Sequence, residues 1–150
     1  MNGEGKPFGN QGFNQQQQNQ NQVQIKNKFG EVKNLFVSGN VDYNKLYSLS
    51  EEIAKNLEIN STKIRKFYNH VKKLELDKDV DITRNLNKFV AMLMYDVGRE
   101  GKPFLKDFAS GMKEVVDVVK QKKGDELIKH YKYFVDFFES LVAYHKFYKG

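Results

Sequence analysis

From residue 25 to the C-terminus, apolar side chains recur three and four places apart. No stretch alternates at period two for long enough to make a strand. This spacing gathers apolar groups on one side of a helix, so the chain must bury several helical stripes against one another. Ile25, Phe29, Val32 and Phe36 form the first stripe, a short helix weakened by Gly30 and β-branched residues and stopped by Gly39-Asn40. Asp42 stands as an N-cap before Leu46, Leu49, Ile53 and Leu57. Ser61 or Thr62 caps a helix reaching about Leu74. Asp81 or Thr83 opens a strongly apolar helix with Leu86, Phe89, Val90, Leu93, Met94 and Val97, closed by Gly98 as a left-handed residue. Pro103 suits the first turn of the next helix, which carries Phe104, Phe108, Met112, Val115 and Val119. A last helix runs from Asp125 almost to the end. Short connections between such helices predict an all-α fold, a compact bundle of about five helices with mainly antiparallel neighbours.

The first 24 residues have a different character, with 13 Asn or Gln among them and charges, Glu4 and Lys6, that cancel. So few apolar groups cannot offset the ordering entropy, and residues 1–24 are expected to be a disordered low-complexity tail. The single folded domain is then 25–150, and it carries the whole net charge of +6. A moderate basic excess fits a polyanionic partner, although many soluble proteins share it.

Several function classes are excluded by what the chain lacks. It has no cysteine, hence no disulfide and no thiolate metal site or nucleophile. No signal segment opens it and no apolar run is long enough to span a bilayer, so a cytoplasmic protein is expected. Asn60-Ser61-Thr62 matches a glycosylation acceptor, which has no meaning without secretion. His70, His130 and His145 offer no pair at metal-binding spacing. Asp77-x-Asp79-x-Asp81 begins like a calcium loop, but Ile82 stands where glycine is needed and Lys88 where the bidentate Glu belongs. Around Gly98-Arg99-Glu100-Gly101-Lys102 a phosphate loop fails, because Asp96 replaces its first glycine and Pro103 its hydroxyl residue. No metal, cofactor or catalytic constellation is implied, and the chain reads as a binding protein.

Two helices carry the binding signals. In residues 62–74, Ile64, Phe67, Tyr68, Val71 and Leu74 make one inward face. Lys66 and Lys73 lie opposite it, Arg65 and Lys72 flank one edge, and Lys63 and His70 the other. Such a helix is roughly 20 Å long, enough to lie beside several phosphates. Arg65 suits a forked phosphate contact and the lysines act as mobile point charges; an ordinary solvated face would show the same charges. A second basic cluster, Lys120, Lys122, Lys123, Lys129 and Lys132, matters only if folding brings it to the first. In the last helix, Leu127, Tyr131, Phe134, Phe138, Leu141, Val142 and His145 form a core stripe, and Tyr133, Phe137 and Tyr144 a second apolar strip. A helix with two apolar sides is either central to its own bundle or docks on another chain. A homodimer through this helix is one form the second option takes.

Thr62-x-Ile64-Arg65-Lys66-x-Tyr68, then Tyr95-x-x-Gly98-Arg99, then Phe138-Glu139-x-x-Val142-Ala143-Tyr144-His145-Lys146-x-Tyr148 carry a family resemblance. In order and spacing, over about residues 42–149, the chain resembles the small subunit of type III-A CRISPR effector (Csm) complexes. The resemblance implies an all-helical, non-catalytic subunit, present in several copies beside the backbone subunits that hold the guide RNA. It would line the groove where target RNA pairs, and would contact backbone without reading bases. Guide RNA, target RNA and the other Csm subunits are the implied partners. On this reading Arg65, Lys66 and Arg99 contact RNA phosphates, with Lys63, Lys72 and Lys73 adding positive field, although Arg99 could equally bond a core carboxylate such as Asp96. The alternative is a helical adaptor that associates through Tyr133, Phe137 and Tyr144 and has no direct role with RNA.

Overall fold

The structure, a computed structural model, describes residues 6–75 and 81–150, with side chains from residue 15 to 73 and from 81 onward. Among the described residues there are six helices, α1 (Lys6–Ser38), α2 (Tyr43–Asn56), α3 (Ser61–Glu75), α4 (Ile82–Glu100), α5 (Pro103–Gln121) and α6 (Gly124–Lys149). The all-α expectation holds. The count is six and not five, because the segment read as short and weak belongs to α1, the longest helix, with 33 residues.

The same element crosses the boundary expected between tail and domain. Its docked half begins at Gln22, whose amide donates to Asp107 Oδ2 at 3.2 Å. Beyond it Ile25, Phe29, Val32 and Phe36 are all buried. Each such side chain contributes about 1.5–3 kcal/mol relative to exposure. Once that half is fixed, each added residue closes one more hydrogen bond without a new nucleation cost, and residues 15–20 continue as exposed helix. Gly111 on α5 lets α1 come this close: a Cβ there would stand 2.3 Å from Phe29 Cγ.

The capping residues explain where the elements begin. Asp42 Oδ1 accepts from the Asn44 amide at 2.9 Å, and Asp81 Oδ1 from the Arg84 amide at 3.1 Å. For α3 the cap is Asn60, not Ser61 or Thr62: its Oδ1 accepts from the Thr62 amide at 2.7 Å and the Lys63 amide at 3.3 Å. Pro103 takes the first position of α5, as its missing N–H favours. Gly98, expected to end α4, is helical, and the left-handed residue is Gly101 at φ 64°. Asp77 and Asp79 lie outside the described residues.

α6 runs through the centre. Phe134, Phe137 and Phe138 are fully buried, and they meet Phe29 of α1, Phe89 of α4, Phe108 of α5 and Tyr68 of α3 through edge-on or tilted rings 5.5–6.1 Å apart. The Tyr68 and Tyr131 pairings with Phe138 and Val71 make α3 and α6 antiparallel. α2 and α6 instead run in the same direction, with Tyr43 beside Tyr133, Ser140 donating to Ser50 at 2.6 Å, and His145 reaching Leu57.

This arrangement corrects the reading of Tyr133 and Phe137 as a partner interface. Both are buried, Phe137 completely, because α1 and α2 cover the second side of α6. Phe29 stands 6.0 Å from Phe137, and Phe36 and Tyr43 stand 6.4 and 5.6 Å from Tyr133. Tyr144 is half-buried. The two apolar sides belong to the helix at the middle of its own bundle.

Candidate nucleic-acid interface

α3 and α4 run antiparallel, and their cations meet on two carboxylates. Asp96 is 2% exposed, although charged, because its neighbours on α4 turn it inward with Phe89 and Leu93. Arg99 Nη2 donates to Asp96 Oδ1 at 3.1 Å, one turn along the same helix. From α3, Lys63 and Lys66 each bring an ammonium to 3.8 Å from Asp96 Oδ2. Lys63 also donates to Glu100, and Arg99 lies 3.4 Å from the same Glu100 oxygen. Burying a carboxylate is tolerated only where cations and donors surround it, and here three cations do so.

The six predicted RNA contacts separate on this frame. Lys63, at 20% side-chain exposure, is consumed by Asp96 and Glu100. Lys66 and Arg99 are held by the same carboxylate yet remain 58% and 55% exposed, so their outer N–H groups face solvent. Lys73 is exposed two turns along α3 from Lys66. Arg65, also exposed, and the half-buried Lys72 lie on the other edge of α3, the edge of Tyr68, whose hydroxyl donates to Glu139 at 2.8 Å. The fold therefore brings Lys63, Lys66 and Arg99 together and leaves Arg65 and Lys72 apart from them.

Two further cations on α4, absent from the sequence-based set, belong to the same edge. With about 100° per residue, Arg84, Lys88, Tyr95 and Arg99 fall within roughly 60° of one another around α4. All four are exposed. Their edge borders α3, because His70 stacks on Phe89 with 6.4 Å between centroids and feels both Lys88 and Lys73. Burial first, and then those two lysines, lowers the His70 pKa below its ordinary value. The 84, 88, 95, 99 spacing is readable in the sequence, but only the packing of α4 on α3 makes it continue the basic edge. The other basic cluster does not join this edge through Lys120, whose ammonium bonds Asn87 Oδ1 at 2.8 Å on a different side of α4.

Among the described residues, no group of three or more His or acidic side chains is placed to hold a metal ion, and no helix is long and apolar enough to cross a membrane. What the fold does organise is a row of partly anchored cations along two helices. That defines a helical bundle with one basic edge.

Residues 40–150 match the family described as Csm2 Type III-A, and the chain belongs to that family. It is thus a small subunit of a type III-A CRISPR effector complex and associates with other Csm subunits. Comparison with curated proteins and with solved structures returned no match. The family match starts after α1, although α1 supplies Phe29 and Phe36 to the core.

Proposed function

We propose that the α3/α4 edge binds the sugar–phosphate backbone of guide or target RNA inside the effector complex, and that the subunit is non-catalytic and cytoplasmic. The supporting observation is that Arg99 is hydrogen-bonded to buried Asp96, and Lys66 paired with it at 3.8 Å, while more than half of each side chain stays in solvent. Anchoring removes part of the rotamer entropy that a free lysine or arginine loses on binding phosphate. Arg84, Lys88 and Lys73 extend the same positive edge along both helices. Contacts of this kind sense charge and shape, and sequence is left to guide–target pairing. One subunit makes few of them, so several copies along the RNA would supply avidity.

The test is target-RNA affinity of the assembled complex against salt, with wild-type subunit and with Lys66→Ala/Arg99→Ala. Each phosphate no longer neutralised should flatten the log–log salt slope by roughly 0.7 on single strands. The double variant should flatten it by about 1.4 per subunit copy engaged, and should bind more weakly at low salt. Unchanged affinity and slope would refute the assignment. An adaptor role is less well supported with Tyr133 and Phe137 internal; it would give association resistant to high salt and indifferent to this variant.

A further inference from the structure

We infer that Tyr95 is a stacking platform for an unpaired base of the bound strand, so that this edge holds a nucleobase as well as phosphates. The inference rests on the RNA reading above and adds a contact of another chemistry to it. Tyr95 is 69% exposed, and it lies in the α4 row between Lys88 and Arg99. Its ring forms no part of the core: the inward residues of α4 are Leu86, Phe89, Leu93 and Asp96. The Arg99 guanidinium, fixed on Asp96, stands 5.8 Å from the Tyr95 ring centroid.

That placement has two consequences. A cation over the ring edge or face restrains the ring at a defined angle, so a base meeting it forfeits little further side-chain freedom. The cations on both sides would run the sugar–phosphate chain along α4, which carries each base past the aromatic ring. An exposed tyrosine inside a positive row is the arrangement that proteins use to hold single strands, with charge for the backbone and a π-face for any base. Bases inside a duplex are already stacked on their neighbours, so the ligand chemistry here is an unstacked nucleobase, of any identity, on a polyanionic strand.

The experiment measures affinity of the complex containing wild-type, Tyr95→Ala or Tyr95→Phe subunit. The ligands are an RNA complementary to the guide except for unpaired nucleotides opposite the subunit, and the same strand with those unpaired nucleotides made abasic. Tyr95→Ala should weaken the intact strand roughly 5- to 150-fold, the range that removing one stacking aromatic covers. It should leave the abasic strand within about twofold of wild type and the salt slope unchanged. Tyr95→Phe, which keeps the π-face, should behave as wild type. Wild-type affinity of Tyr95→Ala for the intact strand would overturn the inference. So would an equal loss on the abasic strand, which would make Tyr95 a backbone or subunit contact. A Lys66→Ala/Arg99→Ala defect together with a normal Tyr95→Ala would leave the phosphate edge standing and remove only the base. Wild-type behaviour of both variants would remove both.

Discussion

Gly98 and Gly101 stand three residues apart at the end of α4, and only Gly101 has left the helix, at φ 64°. Its amide donates to Val97 O at 2.8 Å, so Arg99 and Glu100 are still helical when they meet α3. An end at Gly98 would have released Arg99 and Glu100 from the turn that aims them at Asp96 and Lys63. Both residues are glycine and both have open space where a Cβ would go; the difference lies in the backbone alone. Gly98→Ala should therefore be neutral or stabilise by up to about 1 kcal/mol, the helix-interior preference of alanine. Gly101→Ala should cost about 1–2 kcal/mol for the left-handed conformation. Urea unfolding midpoints of the two variants test this, and the reverse order would restore the stop at Gly98. The sequence reading places the stop at Gly98, three residues before the glycine that takes it. What decides between them is the pairing of α4 with α3, a contact between residues 37 apart that no local pattern carries.

Composition divides the chain at residue 24, and α1 crosses that division. The composition still describes something physical, because the Gln15–Gln20 side chains are exposed, and Gln17 donates to Asn21 on its own helix, at 3.1 Å. From Gln22 onward α1 is held by Asp107, Phe108, Phe137 and Tyr133. Helix without tertiary contact is marginal in water. Amide hydrogens of residues 15–21 should then exchange within about tenfold of the unfolded rate, whereas those of Phe29–Phe36 should be protected close to the global stability. Exchange read by mass spectrometry separates the two halves of α1, and equal protection of both would mean that the N-terminal half is docked as well. The apolar stripe of Ile25, Phe29, Val32 and Phe36 is legible in the sequence; its partner is not. The same gap explains the second strip on α6. Tyr133, Phe137 and Tyr144 are surplus only to a bundle in which α1 is short and weak, since Phe29 and Phe36 are the side chains that cover the first two. Periodicity tells which face of a helix is buried and leaves open which element buries it.

Two histidines tie the cationic edge and the central helix into one stability profile. His145, 1% exposed on α6, approaches Leu57 O with Nε2 at 3.1 Å and Ser61 Oγ with Nδ1 at 3.4 Å. One neutral tautomer fits both partners: Nε2–H donates to the carbonyl and Nδ1 accepts from the hydroxyl. Protonation would place a second N–H against the serine and a charge in the core, and burial accordingly lowers the His145 pKa below 6.5 despite the favourable Leu57 carbonyl. His70 is shifted the same way, by burial and then by Lys88 and Lys73. In the unfolded chain both histidines take up a proton near pH 6.5; in the folded chain both resist until lower pH. The unfolded state then binds more protons. Stability is full above about pH 6.5, falls as pH drops below it, and levels off once the folded histidines protonate in turn. Each histidine can steepen the decline by at most about 1.4 kcal/mol per pH unit. Urea midpoints at pH 7.5, 6.5, 5.5 and 5.0 should decrease for the wild type. His145→Gln, less stable at pH 7.5, should show a shallower decrease, and adding His70→Gln should flatten it further. A pH profile unmoved by both substitutions would clear the two histidines of the acid sensitivity and overturn this account.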